Sequence, residues 1–190
     1  MELMEITAGA LHLRPWRPGD AEVVASALRD PEILRGAVGP VTEPDERAWL
    51  ARRIDGWADG SSASFAVADA TSGGVLGHIR VRIAGGAGEV GYWTLPEARG
   101  RGVASGALGV VARWAFSFLE LSRLDLRHAA ENVASCRVAG KNGFALTRLL
   151  TEPSWRSRER AVEVHLHTLL PPAGRAARRG PGDPAGEKSG

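Results

Sequence analysis

The run from Glu89 to Leu119 constrains the fold more than any other part of the chain. Apolar and polar residues alternate through Gly88 to Leu95, stop at Pro96, and give way to the glycine-rich stretch Glu97 to Gly106 and then to an apolar helical run, Ala107 to Leu119. A strand that enters a helix through such a loop leaves the unbonded amides of the first helical turn facing whatever sits at the loop. Gly100 and Gly102 lack a Cβ, so an anion can approach the backbone closely, and Arg99 and Arg101 add positive charge. A helix N-terminus carries about half a unit of positive charge, suited to a pyrophosphate, and successive loop amides can form a concave nest around it. From the residues alone the loop reads either as such a cradle or as a glycine-rich turn with surface arginines.

Two other phosphate motifs fail here. A nucleoside-triphosphate loop needs Lys and then Ser or Thr after its last glycine, whereas Val103-Ala104 follow Gly102. A dinucleotide fingerprint needs a third glycine where Ser105 stands, and it opens a βαβ unit rather than following hairpin strands.

The flanking sequence predicts a single mixed sheet. Leu11 to Arg14 reads as a short strand stopped by Pro15, and Gly19-Asp20 as the start of a helix with Val23, Val24, Ala27 and Leu28 on one face. Asp45 to Trp57 reads as a second helix carrying Trp49, Leu50, Ile54 and Trp57 at helical spacing. Ser64 to Asp69, with Phe65 and Val67 inward, and Val75 to Ile83, with Ile79, Val81 and Ile83 inward, form a hairpin about Ser72-Gly73-Gly74. After the central unit come a strand Arg123 to His128, a helix from Val133 to about Asn142 capped by Asn132, and closing strands Phe144 to Leu150 and Glu159 to Leu169.

Arg99-Gly100-Arg101-Gly102-Val103-Ala104 is similar to the R/Q-x-x-G-x-G/A signature of the GNAT acetyltransferases. Gly91-Tyr92-Trp93 before it resembles the RimJ/RimL-like branch, which acetylates protein N-termini, and so does Glu131-Asn132-x-x-Ser135-x-x-Val138-x-x-Lys141-x-Gly143-Phe144 after it. Leu11-x-Leu13-Arg14-Pro15 with Asp20-Ala21 fits the same branch, so the resemblance covers about Leu11 to Leu169. It implies an α/β (α+β) acyltransferase fold, a mostly antiparallel sheet splayed at its middle with helices on both faces. It further implies acetyl transfer from acetyl-coenzyme A to a primary amine in a ternary complex.

By that resemblance, the loop around Arg99, Gly100, Arg101, Gly102, Val103, Ala104 and Ser105 holds the coenzyme pyrophosphate, with the amides of Arg101 to Ser105 as donors. The strand end Tyr92, Trp93, Thr94 and Leu95 pairs with the pantetheine amides, and Asn132 binds near the pantetheine arm or the thioester. Asn132 also reads as a plain helix cap, a role compatible with the first. Many members carry a tyrosine four residues before the glycine of the Gly-Phe pair; this chain has Ala139 there. Ser135 is the donor to the leaving sulfur that remains on that helix, or a serine bonded to backbone. Glu89 and His128, on the two strands that flank the acyl group, are the candidate bases; a solvated face and a partly buried core position are their plainer readings. Cys136 has no identified base or cationic partner and reads as a buried helix cysteine. Trp16, Trp49 and Trp57 read mostly as core anchors, though Trp49 and Trp57 also lie in the region that forms the acceptor wall in this family.

A protein N-terminal α-amine is the first acceptor expected, a small amine such as an aminoglycoside, amino acid or polyamine the second. The rival class is an acyl-coenzyme A sensor without turnover. An α-amine, with a pKa near 7.7, leaves an appreciable neutral fraction and needs little help from a base, whereas lysine near 10.4 needs much.

Length and composition bound the rest. A chain of 190 residues with 44% hydrophobic content buries one core, so one domain over residues 11–170 is expected, with an N-terminal extension over 1–10. From Pro171 to Gly190 there is no aromatic or β-branched residue, and a disordered tail is expected. No run is long and apolar enough for a membrane span, and Glu2 and Glu5 stand where a secretory leader carries positive charge, which points to the cytoplasm. The single cysteine and five histidines fit no zinc spacing, so no metal is expected. The formal charge of +2 owes much to the tail, and no nucleic-acid partner is expected; self-association, where it occurs, is expected as a homodimer.

Overall fold

The structure, a computed structural model, describes residues 1–36, 45–153 and 161–173. Its strands are β1 (Ile6–Ala8), β2 (Leu11–Pro15), β3 (Ser62–Asp69), β4 (Val75–Ala84), β5 (Ala87–Thr94), β6 (Arg123–Ala129), β7 (Ala145–Pro153) and β8 (Ala161–Leu169). They form one sheet in the order β1-β2-β3-β4-β5-β6-β8-β7. Every pairing is antiparallel except that of β5 with β6. The helices are α1 (Ala21–Ala27), α2 (Pro31–Gly36), α3 (Glu46–Asp59), α4 (Val103–Phe118) and α5 (Val133–Lys141). None of the described helices is long and apolar enough to cross a membrane.

Helices cover both faces of the sheet, and β3 shows why. Its Phe65 and Val67 join the core under α4, with Leu108, Val111 and Ala115, while Ala66 joins a second cluster with Trp16, Val24, Trp49 and Leu50 of the α1 and α3 side. The expected one-sided alternation of this strand is therefore replaced by burial on both sides, from Ser62 through Ala68. The glycine at 88 admits the close approach of β5 to its neighbours: a Cβ there would lie 2.7 Å from Leu124 and Val81 and 2.8 Å from Leu121.

Local chemistry sets the element ends. The Asp45 carboxylate accepts from the Ala48 amide at 2.8 Å and starts α3, and Gly60, at φ 76°, ends it. Of the four apolar residues expected on its inner face, Trp49, Leu50 and Trp57 are buried but Ile54 is exposed. Helix α2 was not expected, although its start signal is present: Asp30 accepts from the amides of Glu32 and Ile33 at 2.8 Å each, with Pro31 between them. Helix α4 begins at Val103, not Ala107, because Gly102 takes the left-handed conformation that ends the loop directly before it.

Residues 1–10 are more than an extension. Strand β1 pairs with β2, the Met1 amine donates to the Trp57 carbonyl at 2.9 Å, and the Met4 sulfur accepts from the Trp114 indole at 2.9 Å. The expected beginning of the last strand, at Glu159, and residues 174–190 of the expected tail lie outside the described residues.

Candidate active site

The site begins where β5 and β6 part. The two pair only from Ala87 opposite Arg123 to Val90 opposite Leu126, yet β5 runs on to Thr94 and β6 to Ala129. Strand β4 holds the far edge of β5 as far as Thr94, and β8 holds the far edge of β6 as far as Ala129. Gly91 to Thr94 therefore turn an edge without a strand partner into the gap, the arrangement to which an extended ligand adds. The gap opens a cleft of about 1180 Å³.

The glycine loop and the start of α4 lie along this cleft. Gly100 and Gly102 have φ of 72° and 80°, and a Cβ on either would meet no atom within 4 Å. No side chain caps α4, and the first bond to the Gly102 carbonyl comes from the Gly106 amide. The amides of Val103, Ala104 and Ser105 are thus the orphan donors of the helix, beside backbone that an anion can reach. Arg99 has another task. Its guanidinium pairs with Asp30 at 2.8 Å and Glu32 at 2.7 Å and its Nε donates to the Thr94 carbonyl, which ties α2 to the strand end.

Of the residues expected to hold coenzyme, Tyr92, Trp93, Thr94, Arg99, Gly100, Gly102, Val103, Ala104, Ser105, Asn132 and Ser135 line the cleft. Leu95 and Arg101 do not. Leu95 is buried against Ala27 and Ile33, and the Arg101 side chain is exposed.

Helix α5 closes the side of the cleft beyond β6. Asn132 caps it, its Oδ1 accepting from the Ser135 amide at 3.0 Å, which leaves Nδ2 as the atom for a ligand. Asn142 donates to Ser105 Oγ at 3.1 Å and to the Val138 carbonyl at 2.9 Å, fixing α5 against α4. The Ser135 hydroxyl is buried and accepts from the Tyr92 phenol at 3.1 Å. Burial raises the phenol above its ordinary value, against the lowering effect of the bond to Ser135, so Tyr92 keeps its proton at neutral pH. The sequence offered Tyr92 for its backbone alone; the side-chain role depends on the distance between β5 and α5, which no local pattern encodes.

The two candidate bases lie on opposite faces of the sheet. Glu89 stands with Trp93 on the α3 face, its carboxylate 3.1 Å from Arg82 and 3.6 Å from Arg127, which also pairs with Glu152. His128 stands on the α5 face, 2% exposed, with Nδ1 2.8 Å from the Ala129 carbonyl. Burial lowers its pKa, helped by His167 and His165 and opposed by the bond to Ala129. Beside it Cys136 Sγ lies 3.2 Å from His165 Nδ1 and 3.7 Å from His167 Nε2. The cysteine expected to lack a basic partner has two.

An aromatic wall borders the Glu89 side. Trp16 and Trp49 meet edge to face at 5.2 Å, Trp93 lies 5.9 Å and 6.2 Å from them, and the Trp16 indole donates to His78 Nδ1 at 3.0 Å. Burial first, then Arg53 and Arg80, hold His78 well below its ordinary pKa, so it is neutral. Trp57 is the core anchor its spacing suggested: it packs on Phe65 at 5.0 Å under α4, away from this wall. The wall is basic: Arg52, Arg53, Arg80 and Arg82 line it, with the Arg53 guanidinium 4.2 Å above the Trp49 ring. Among the described residues, the carboxylates of the cleft lining are those of Glu32, Glu89 and Glu131, and Glu89 and Glu32 pair with Arg82 and Arg99.

Comparison with known proteins agrees with this geometry. Residues 10–145 match the family model described as an acetyltransferase (GNAT) domain. The chain is 24% identical over 165 residues to the uncharacterized N-acetyltransferase p20 of Bacillus licheniformis, covering 84% of this chain and 92% of that one. It superposes on the ribosomal-protein-S5-alanine acetyltransferase of Vibrio fischeri with a TM-score of 0.73 at 19% identity, over 88% of this chain and 96% of that one. The spermidine N-acetyltransferase of Vibrio cholerae, in complex with CoA and spermine, superposes with a TM-score of 0.75 at 19% identity, over 86% and 96% of the two chains.

Proposed function

The chain belongs to the GNAT acetyltransferase family, whose members are acetyl-coenzyme A-dependent transferases, and from that premise we propose that it acetylates the N-terminal α-amine of a protein or peptide with neutral or acidic first residues. The observation that carries the acceptor assignment is the charge of the aromatic wall. Among the described residues of the lining, Arg52, Arg53, Arg80 and Arg82 outnumber the carboxylates beside them, of which Glu89 pairs with Arg82, and this excess favours a carboxylate-bearing peptide over a polycation. The two structural neighbours act, by name, on a ribosomal protein and on spermidine, and the basic wall favours the first kind of acceptor. The RimJ/RimL-like motifs agree with it.

The cleft fits the donor substrate. The open backbone at Gly100 and Gly102, with the amides of Val103 to Ser105, would hold the pyrophosphate. The free edge Gly91 to Thr94 would pair with the pantetheine amides and offer N–H donors to the thioester oxygen. Asn132 Nδ2 would steady the arm. Ser135 would donate to the sulfur as the carbon–sulfur bond breaks, while Tyr92 donates to Ser135 Oγ and strengthens that bond. This pair takes the place of the acid missing at Ala139. A thiol of pKa about 8.5 needs only such modest help to leave.

For the amine, Glu89 is the base we assign, acting through one water from the acceptor face. An α-amine is neutral often enough for a weak base to suffice, and most of the rate would come from positioning.

Thiol release from acetyl-coenzyme A, measured with an acidic N-terminal peptide, a neutral peptide, spermidine and an aminoglycoside, tests this. We expect kcat/KM for the acidic or neutral peptide to exceed that for spermidine by about tenfold, or ~1.4 kcal/mol. A preference for spermidine overturns the acceptor assignment and leaves acetyl transfer standing.

A further inference from the structure

We propose that His128, Cys136, His165 and His167 form a site for one divalent transition-metal ion, and that the ion this donor set selects is Zn²⁺. The four come from three elements, β6, α5 and β8, and each offers one ligand atom within 4.8 Å of the others. His128 lies directly opposite His165 in the sheet, His167 follows two residues on along the same face, and Cys136 reaches down from α5.

The spacing suits tetrahedral coordination. Zinc–nitrogen bonds of about 2.0 to 2.1 Å and zinc–sulfur bonds of about 2.3 Å put ligand nitrogen and sulfur about 3.5 Å apart. Cys136 Sγ is 3.2 Å from His165 Nδ1 and 3.7 Å from His167 Nε2, on either side of that value. The outer contacts of the histidines also suit ligation. The His128 Nδ1 hydrogen points to the Ala129 carbonyl at 2.8 Å, which leaves the Nε2 lone pair for a metal, and His165 Nε2 faces the Glu163 carboxylate at 3.5 Å. His128 Nε2 is buried and, among the described residues, has no hydrogen-bond partner, a cost that an ion between the rings would remove.

One thiolate and three imidazoles suit zinc rather than magnesium or calcium, and four protein ligands close the coordination sphere, as in a structural site. The task is anchoring. Helix α5 has nine residues, too few to be stable alone, and buries only Ser135 and Ala139. An ion on Cys136 would fix the residue next to Ser135 against both β6 and β8. Binding releases the thiol proton to solvent, so affinity falls as pH falls. The inference does not depend on the acceptor assignment.

The test uses the untagged full-length chain, stripped with a chelator and titrated with Co²⁺ and then Zn²⁺. One Co²⁺ per chain should bind with tetrahedral ligand-field bands and a thiolate-to-cobalt charge-transfer band, and one equivalent of Zn²⁺ should abolish both. Cys136→Ser should lose the charge-transfer band, and His167→Ala should weaken Zn²⁺ binding by on the order of 100-fold or more. The wild-type spectrum decides the matter even where a variant does not fold. Cobalt bound without a thiolate band overturns the proposal. So does an apo protein that takes up no metal while Cys136 reacts rapidly with disulfides, which would mark a thiolate–imidazole pair instead.

Discussion

The phenol of Tyr92 donates to the hydroxyl of Ser135 at 3.1 Å, joining β5 to α5 across the gap where β5 and β6 separate. Tyr92 is the only tyrosine of the chain, so the pair can be probed without interference from other phenols. Ser135→Ala should lower kcat by on the order of 100-fold with little change in the KM for acetyl-coenzyme A, and Tyr92→Phe by about tenfold. Steady-state kinetics with both variants checks this; a change confined to thermal stability assigns Ser135 to the helix start alone.

Gly102 and Gly60 have nearly the same backbone, φ 80° and 76°, and neither has an atom within 4 Å of a built Cβ. A valine at either site should cost on the order of 1 to 2 kcal/mol of stability through left-handed strain. Gly102→Val alone should weaken acetyl-coenzyme A binding, by at least about tenfold, because its side chain stands in the phosphate approach. Calorimetric titration of the two variants side by side separates strain from ligand contact.

Arg53 lies over the Trp49 ring on the wall assigned to the acceptor. Arg53→Glu should raise KM for an acidic peptide by about tenfold and leave that for acetyl-coenzyme A unchanged. Added salt should weaken the wild-type preference for acidic peptides in the same direction.

Burial holds His78, His128 and His167 below the ordinary histidine value, most strongly at His78. The unfolded chain therefore takes up protons near pH 6.5 that the folded chain refuses. Stability from these groups is complete above about pH 6.5 and is lost as pH falls towards their folded values. Thermal denaturation in the presence of a chelator should show Tm falling from pH 7 to pH 5, with a shallower slope in His78→Gln.

At Gly88 a Cβ would come within 2.8 Å of three side chains, those of Leu124, Val81 and Leu121. Gly88→Ala should destabilise the protein by about 1 to 3 kcal/mol through overpacking, read from denaturant midpoints.

Most of this architecture was legible in the chain because it rests on local rules. The helix opening at Asp45, the glycine loop ahead of α4, the alternation of β4 and the N-cap at Asn132 each depend on a few neighbouring residues, and each was readable from them. The misplaced features have local explanations too. Val103 and Ala104 sit among glycines and looked like loop, and β1 is three residues long, too short for a period to show.

Backbone preference and spacing along the chain specify the glycine loop, the helix that follows it and the order of elements from β2 onward apart from α2, and the motifs they space out carry the family. Tertiary structure alone decided which side chains share a site. Tyr92 reaches Ser135 across 43 positions, and His128 meets Cys136, His165 and His167 because β8 inserts beside β6 with α5 above them. Such contacts follow from strand order and register, where a shift of one residue would turn every histidine to the opposite face, and no local stretch of sequence carries that information.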